Sequence, residues 1–142
     1  MQDLITEVLE FVQDSEVQYF ATVGMDGKPK LRPVQMMFVE GNSPVYCTGT
    51  GKLMYQELMH NPHVEICVCE GHRWVRINGC VKWLKEPAVK QKVIEQSPLV
   101  ASIYHSADNP ELAAFTLTSA QAVMTDLRDS VAKQKPKVVT LC

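Results

Sequence analysis

One dipeptide constrains this chain more than any other feature. Asp26-Gly27 sits within Met25-Asp26-Gly27-Lys28, between a run rich in β-branched and aromatic residues (Val17 to Val23) and a second extended run. Asp-Gly favours a two-residue hairpin, because both central positions of that turn need positive φ. The sheet therefore begins as an antiparallel pair rather than a β–α–β crossover. The second run reads as one long strand from about Lys30 to Glu40, with Arg32, Val34, Met36 and Phe38 on one face. Pro33 lies inside it and implies an edge position or a bulge, since proline cannot donate to a ladder.

The remaining pattern extends this antiparallel theme. Before the hairpin, Leu4, Ile5, Val8, Leu9 and Val12 recur at helical spacing over about residues 3–14, with Asp3 placed to cap the first turn. After it come a strand at Val45–Thr48, a Gly49-Thr50-Gly51 loop, and a helix with an apolar stripe of Met54, Tyr55, Leu58 and Met59 that Asn61-Pro62 ends. His63–Glu70 and Arg73–Lys85 read as strands joined by a turn at Gly71-His72, the second interrupted by Gly79. Pro87 opens a helix to about Gln96, and Leu99–Tyr104 is a short helical piece. Ala114–Thr118 and Ala122–Leu127 read as two final strands, while Lys133–Cys142 is charged and then apolar and fits no element. Regular β–α alternation is absent, so the pattern predicts a mainly β, Greek-key-like antiparallel barrel with peripheral helices.

At 142 residues the length suits a single domain, with a core at about 17–127 and a tail at 133–142. A formal net charge of -2 supplies no basic field for a phosphate backbone, so nucleic acid is not an expected partner. No apolar run approaches the roughly 18 residues of a membrane span. The start, Met1-Gln2-Asp3-Leu4, has no basic and apolar signal segment, and five cysteines form no disulfide framework. A cytoplasmic setting with reduced thiols is the expectation.

The segment richest in chemistry is Thr48-Gly49-Thr50-Gly51-Lys52-Leu53. It joins a strand end, a glycine loop and a helix start, where unsatisfied N–H groups and the helix dipole favour an anion. Tyr46 and Leu53 stand where a Walker A loop needs glycine and Ser/Thr, so the segment is not that motif; a plain glycine turn with a solvated lysine is the alternative. Arg32 lies on an otherwise apolar strand face, where either an anion or a protein carboxylate must satisfy it. His60, His63, Cys67 and Cys69 gather four metal-ligand types, but the order matches no zinc module, and Cys-x-Cys in an apolar strand is usually two buried thiols. There is no Cys-x-x-Cys dithiol and no Gly-x-Ser-x-Gly elbow. His105, Ser106 and Asp108 read as turn residues, and Trp74, Arg76 and Asn78 share a strand face that could line a cleft, with Trp74 stacking on a flat ligand.

Taken in order, several segments between Tyr19 and Met124 resemble the pyridoxamine 5′-phosphate oxidase-like family of FMN-binding split barrels, in particular its short bacterial members. They are Ala21-Thr22-Val23 with Asp26-Gly27-Lys28-Pro29, Arg32-Pro33-Val34 with Phe38, Tyr46-Cys47-Thr48 leading to Lys52, Asn61-Pro62-His63-Val64, and Trp74-Val75-Arg76-Ile77-Asn78-Gly79. The resemblance implies a homodimer with FMN at the subunit interface. It implies that Arg32 and Lys52 face the FMN phosphate, with Thr48, Gly49 and Thr50 nearby, and that Pro33, Val34 and Gln35 run beside the isoalloxazine. Trp74 stands where the true oxidases carry a glutamine near the flavin, so it either stacks or meets the partner subunit. The end of the chain, Lys135 to Cys142, lacks the tryptophan and arginine with which the true oxidases grip their substrate, so vitamin B6 oxidation is not implied. What is implied is a probable oxidoreductase of unstated substrate; the alternatives are a carrier or sensor that holds FMN without turnover, a barrel that binds haem or a deazaflavin, and a purely structural dimer. His60, His63, His72 and His105 are the available haem ligands.

Overall fold

The computed structural model describes residues 2–15, 17–128 and 135–142. Among the described residues helices and strands alternate irregularly: α1 (Gln2–Gln13), β1 (Gln18–Val23), β2 (Pro29–Val34), β3 (Phe38–Glu40), β4 (Ser43–Gly49), α2 (Leu53–His60), β5 (His63–Glu70), β6 (Arg73–Leu84), α3 (Pro87–Gln96), α4 (Pro98–Tyr104), β7 (Leu112–Asp126) and β8 (Lys137–Thr140). All strand pairings are antiparallel, in the order β2-β1-β5-β6-β7-β4-β3, and β8 also pairs with β7. The fold is mainly β with flanking helices.

The sheet is strongly curled. In the strand order β1 and β4 are four places apart, which in a flat sheet would separate them by about 19 Å. Yet Phe20 of β1 and Tyr46 of β4 have ring centroids 5.8 Å apart, and both rings also pack on Phe115 of β7 at 5.7 Å. The Tyr46 hydroxyl donates to Gln18 Oε1 across the same interior, and Gln18 Nε2 donates to the Val12 carbonyl of α1. Burial without water pushes the Tyr46 phenol well above its ordinary range, so it stays a donor. The result is a barrel filled by aromatic and branched side chains, with Val8, Leu9, Phe11 and Val12 of α1 and Met54 and Leu58 of α2 in the same core. A second core lies outside the barrel wall, where Val93, Val100 and Tyr104 of α3 and α4 cover Phe38, Val45, Leu112 and Ala114.

A hairpin turns at Asp26-Gly27, but not as the two-residue turn expected: Gly27 N–H bonds the Gly24 carbonyl at 2.8 Å, Gly27 has a positive φ of 77° while Asp26 does not, and β1 pairs with β2 from Val23↔Pro29 to Gln18↔Val34. Asp3 differs slightly from expectation, lying inside the first turn of α1 instead of capping it. Three further expectations are corrected. The strand expected over Lys30–Glu40 is two strands, because the chain changes partner at a barrel corner. β2 pairs with β1, whereas Met37 N–H already bonds the Val45 carbonyl and β3 pairs with β4. The two strands expected near the C-terminus are one, β7, which passes through a bulge. Gly79 of β6 faces Ser119 and Ala120 of β7, and Ser119 takes a left-handed φ of 52°. A Cβ on Gly79 would lie 3.0 Å from the Thr118 carbonyl oxygen and 3.3 Å from Ala120 Cα, so the close approach needs glycine. The tail, finally, supplies β8: Val139 and Leu141 are buried, and Ala120 exchanges backbone bonds with Leu141 and Cys142. Lys133 and Gln134 lie outside the described residues.

Candidate functional site

β2 is an edge strand, and its alternation sends Arg32 inward with Phe20 and Thr22, while Leu31 and Pro33 face out. At that end of the barrel, α2 lays Met54, Glu57 and Leu58 against the core. Glu57 is the residue that sequence reasoning missed. Its carboxylate, only 1% exposed, accepts from Arg32 Nη2 at 2.7 Å and from the Thr22 hydroxyl at 2.8 Å, and Arg32 Nη1 donates to Thr22 Oγ1 at 2.9 Å. The only signal in the sequence was a carboxylate between Met54 and Leu58 on an apolar helical stripe.

The guanidinium is not exhausted by this pair. An arginine has five N–H donors, of which two are engaged here, and the side chain keeps 25% of its surface exposed. That exposed part lines a cavity of about 570 Å³ formed by the end of β2, the β2–β3 corner, the end of β4, the start of α2, and α4. Six of the residues singled out from sequence meet there: Arg32, Pro33, Val34, Gln35, Thr48 and Lys52. Leu99, Ile103 and Tyr104 of α4 form the opposite wall. Among the described residues, the Thr48 hydroxyl, the Gln35 amide and the Lys52 ammonium engage no protein partner. Lys52 precedes the first turn of α2, which has no side-chain cap. Anion-attracting groups from three elements thus converge with their donors unspent.

The other three candidates are placed differently. Gly49 is buried beneath α4, where a Cβ would collide with the Tyr104 hydroxyl; its bare Cα admits a tyrosine. Thr50 turns away, its N–H donating to the Glu111 carbonyl at 2.9 Å and its side chain lining a second, smaller cavity. Trp74 lies on the outer barrel face, in register with Cys69 and Thr125. Register carries that face across the sheet through Tyr19, Pro33, Cys67 and Arg76.

The titratable groups on the large cavity do not suit proton transfer at neutral pH. Burial pushes the Cys47 thiol up to about 11, against a smaller opposing effect of Lys52. Burial also raises the Tyr104 phenol. No histidine or carboxylate is among the lining residues. His60, His63, His72 and His105 are all exposed, and no three His, Cys, Asp or Glu side chains among the described residues are grouped to hold a metal ion. No described helix is long and apolar enough to cross a membrane.

A curled antiparallel barrel, split at one end by a cavity with cationic and hydroxyl donors, defines the split-barrel class. The chain belongs to the pyridoxamine 5′-phosphate oxidase family, whose model matches residues 4–126. No curated protein matches it in sequence. Among solved structures it is similar to a NimC/NimA family protein from Clostridium acetobutylicum (23% identity, TM-score 0.81, covering 96% of this chain and 92% of that one). It is also similar to a pyridoxamine 5′-phosphate oxidase-related, FMN-binding protein from Nostoc punctiforme (14% identity, TM-score 0.72, 99% and 96%). A haem-binding protein from Mycobacterium smegmatis shares the fold as well, at 16% identity and TM-score 0.70, over 93% of this chain and 57% of that one.

Proposed function

We propose that this chain is an FMN-binding flavoprotein that acts as an oxidoreductase. The observation that carries the reading is the convergence of Arg32, Thr48 and Lys52, with donors to spare, on one cavity of about 570 Å³. That volume lies within the roughly 300–1,000 Å³ usual for cofactor sites. Arg32 and Lys52 hold the phosphate, with the Thr48 hydroxyl beside them. Pro33, Val34 and Gln35 flank the ring system, where Gln35 sits off both neighbouring ladders with its amide free. Leu99 and Ile103 cover the apolar surface. FMN, when bound, supplies hydride and electron chemistry that no side chain of this cavity offers. The chain's own part is to bind, orient and exclude water. The donor set suits a phosphate-bearing ligand, and the exposed positions of all four histidines weigh against haem.

The chain works as a homodimer in this reading. Its outer face carries Leu31 at 69% exposure and Tyr19 at 47%, continuous by register with Pro33, Cys67 and Trp74. This face, apolar toward β2 and crossed by the Arg76–Glu65 ion pair on β5 and β6, is suited to a second copy. Trp74 then belongs to the subunit contact.

The test is an absorbance spectrum of the purified protein, taken again after incubation with FMN and desalting. A retained flavin band that riboflavin does not reproduce is the expected result. Lys52→Ala with Arg32→Lys, which keeps a cation beside Glu57, should abolish retention; undiminished flavin in that variant would refute the site. Steady NAD(P)H consumption with an electron acceptor distinguishes an enzyme from a carrier or sensor.

A further inference from the structure

The loop and first turn between β4 and α2 form a wall with two sides. Lys52 and Met54 look into the large cavity, whereas Thr50, Tyr55 and Met59 look into the second one. The second cavity, about 230 Å³, is closed by the end of β6, the start of β7 and α3. It is too small for FMN.

Its lining divides by chemistry. Tyr55 and Trp83 form an aromatic wall, with ring centroids 4.9 Å apart and planes tilted by 53°. Leu112, Ala113 and Ala114 of β7 also line it, two of the three being small alanines. Its polar side chains are the ammonium groups of Lys85 and Lys90 and the hydroxyls of Thr50 and Tyr55. Lys90 Nζ donates to the Asn109 carbonyl at 3.2 Å, which fixes the ammonium without neutralising it. Among the described residues neither lysine forms an ion pair, and no carboxylate lines the cavity. An aromatic and aliphatic lining with two cations outside any ion pair favours an aromatic body bearing one anionic group.

We propose that this cavity is a binding site for a small one-ring aromatic or heteroaromatic carboxylate. The ring lies against Tyr55 and Trp83, and the carboxylate meets Lys85 and Lys90. The site goes beyond the flavin reading and stands whether or not FMN binds.

Fluorine NMR with 4-fluorobenzoate tests it on the intact protein, with or without flavin. The proposal expects saturable broadening and an upfield ring-current shift, displaced by unlabelled benzoate. The neutral 4-fluorobenzamide should show no matching saturation. Lys85→Gln with Lys90→Gln, both outside the core, should weaken binding about tenfold or more, and Trp83→Leu should remove the upfield shift. Absence of saturable binding, equal binding of the amide, or unchanged affinity in the double lysine variant would each overturn it. Loss of flavin retention with carboxylate binding intact would overturn only the FMN reading.

Discussion

Arg32 and Glu57 meet at 2.7 Å across the mouth of the barrel, one a quarter exposed and the other almost wholly buried. The asymmetry has a measurable consequence. Removing the arginine strands a carboxylate where water does not reach, at a cost of about 3–5 kcal/mol. Removing the glutamate leaves a guanidinium that can hydrate from the cavity, so Glu57→Ala should cost about 1–3 kcal/mol. Urea denaturation of Arg32→Ala and Glu57→Ala should rank them in that order; the reverse ranking would show that the pair is not what holds this end together.

Cys47 should behave as an inert thiol despite lining the large cavity. Its folded value, about 11, lies above that of a free thiol, so the folded state holds its proton longer than the unfolded chain does. The stabilisation is complete below the free-thiol value near 8.5 and is lost as pH rises toward 11. The expected slope in that window is up to about 1.4 kcal/mol per pH unit, and Cys47→Ala should flatten it. At pH 8, iodoacetamide should modify the exposed Cys69 well before Cys47.

Two glycines give opposite predictions. Gly79→Val forces a side chain onto the backbone at Thr118 and Ala120 and should destabilise by about 1–3 kcal/mol. Gly51→Ala meets nothing within 4 Å and needs no left-handed φ, so thermal denaturation should move little, by about 0.5 kcal/mol or less. If the FMN phosphate sits over the loop, the same Gly51→Ala variant should still lose FMN affinity.

The C-terminal strand should behave as part of the barrel. Val139 is 1% exposed and Leu141 5%, and both join the main core. Val139→Asp should cost about 3 kcal/mol or more, because it loses apolar burial and buries a charge. Hydrogen exchange should show the amide protons of Ala120 and Leu141, which bond across this contact, protected in the native chain and exposed in the variant.

The sequence was most legible where local chemistry and tertiary demand agreed. Pro87 marks the start of α3, and Asp26-Gly27 needed no distant partner to turn the chain. It was least legible where the outcome rests on contacts far along the chain. Nothing local tells Met37 to abandon the ladder of β2 for Val45, or lets Ser119 continue a strand through a left-handed residue. In the cavity, Arg32, Thr48 and Lys52 could be gathered because each carries a donor, whereas residues 33–35 came from the family resemblance alone. Glu57 and the α4 wall could not be gathered, because a helical carboxylate and apolar residues such as Leu99 look ordinary until the fold brings them to β2. Trp74 was read from its strand position in the family, as either a stacking residue or a subunit contact, and strand alternation puts it on the outer face.

Pro29 and Pro33 stand at alternate outward positions of β2, which pairs with β1 alone, and the other described strands with a single neighbour, β3 and β8, are three and four residues long. One border therefore lacks two of the amide protons that an incoming chain would seek, and the others are too brief to template one. Strand-to-strand addition of one copy to another is therefore disfavoured, so crowding the protein should not yield fibrils.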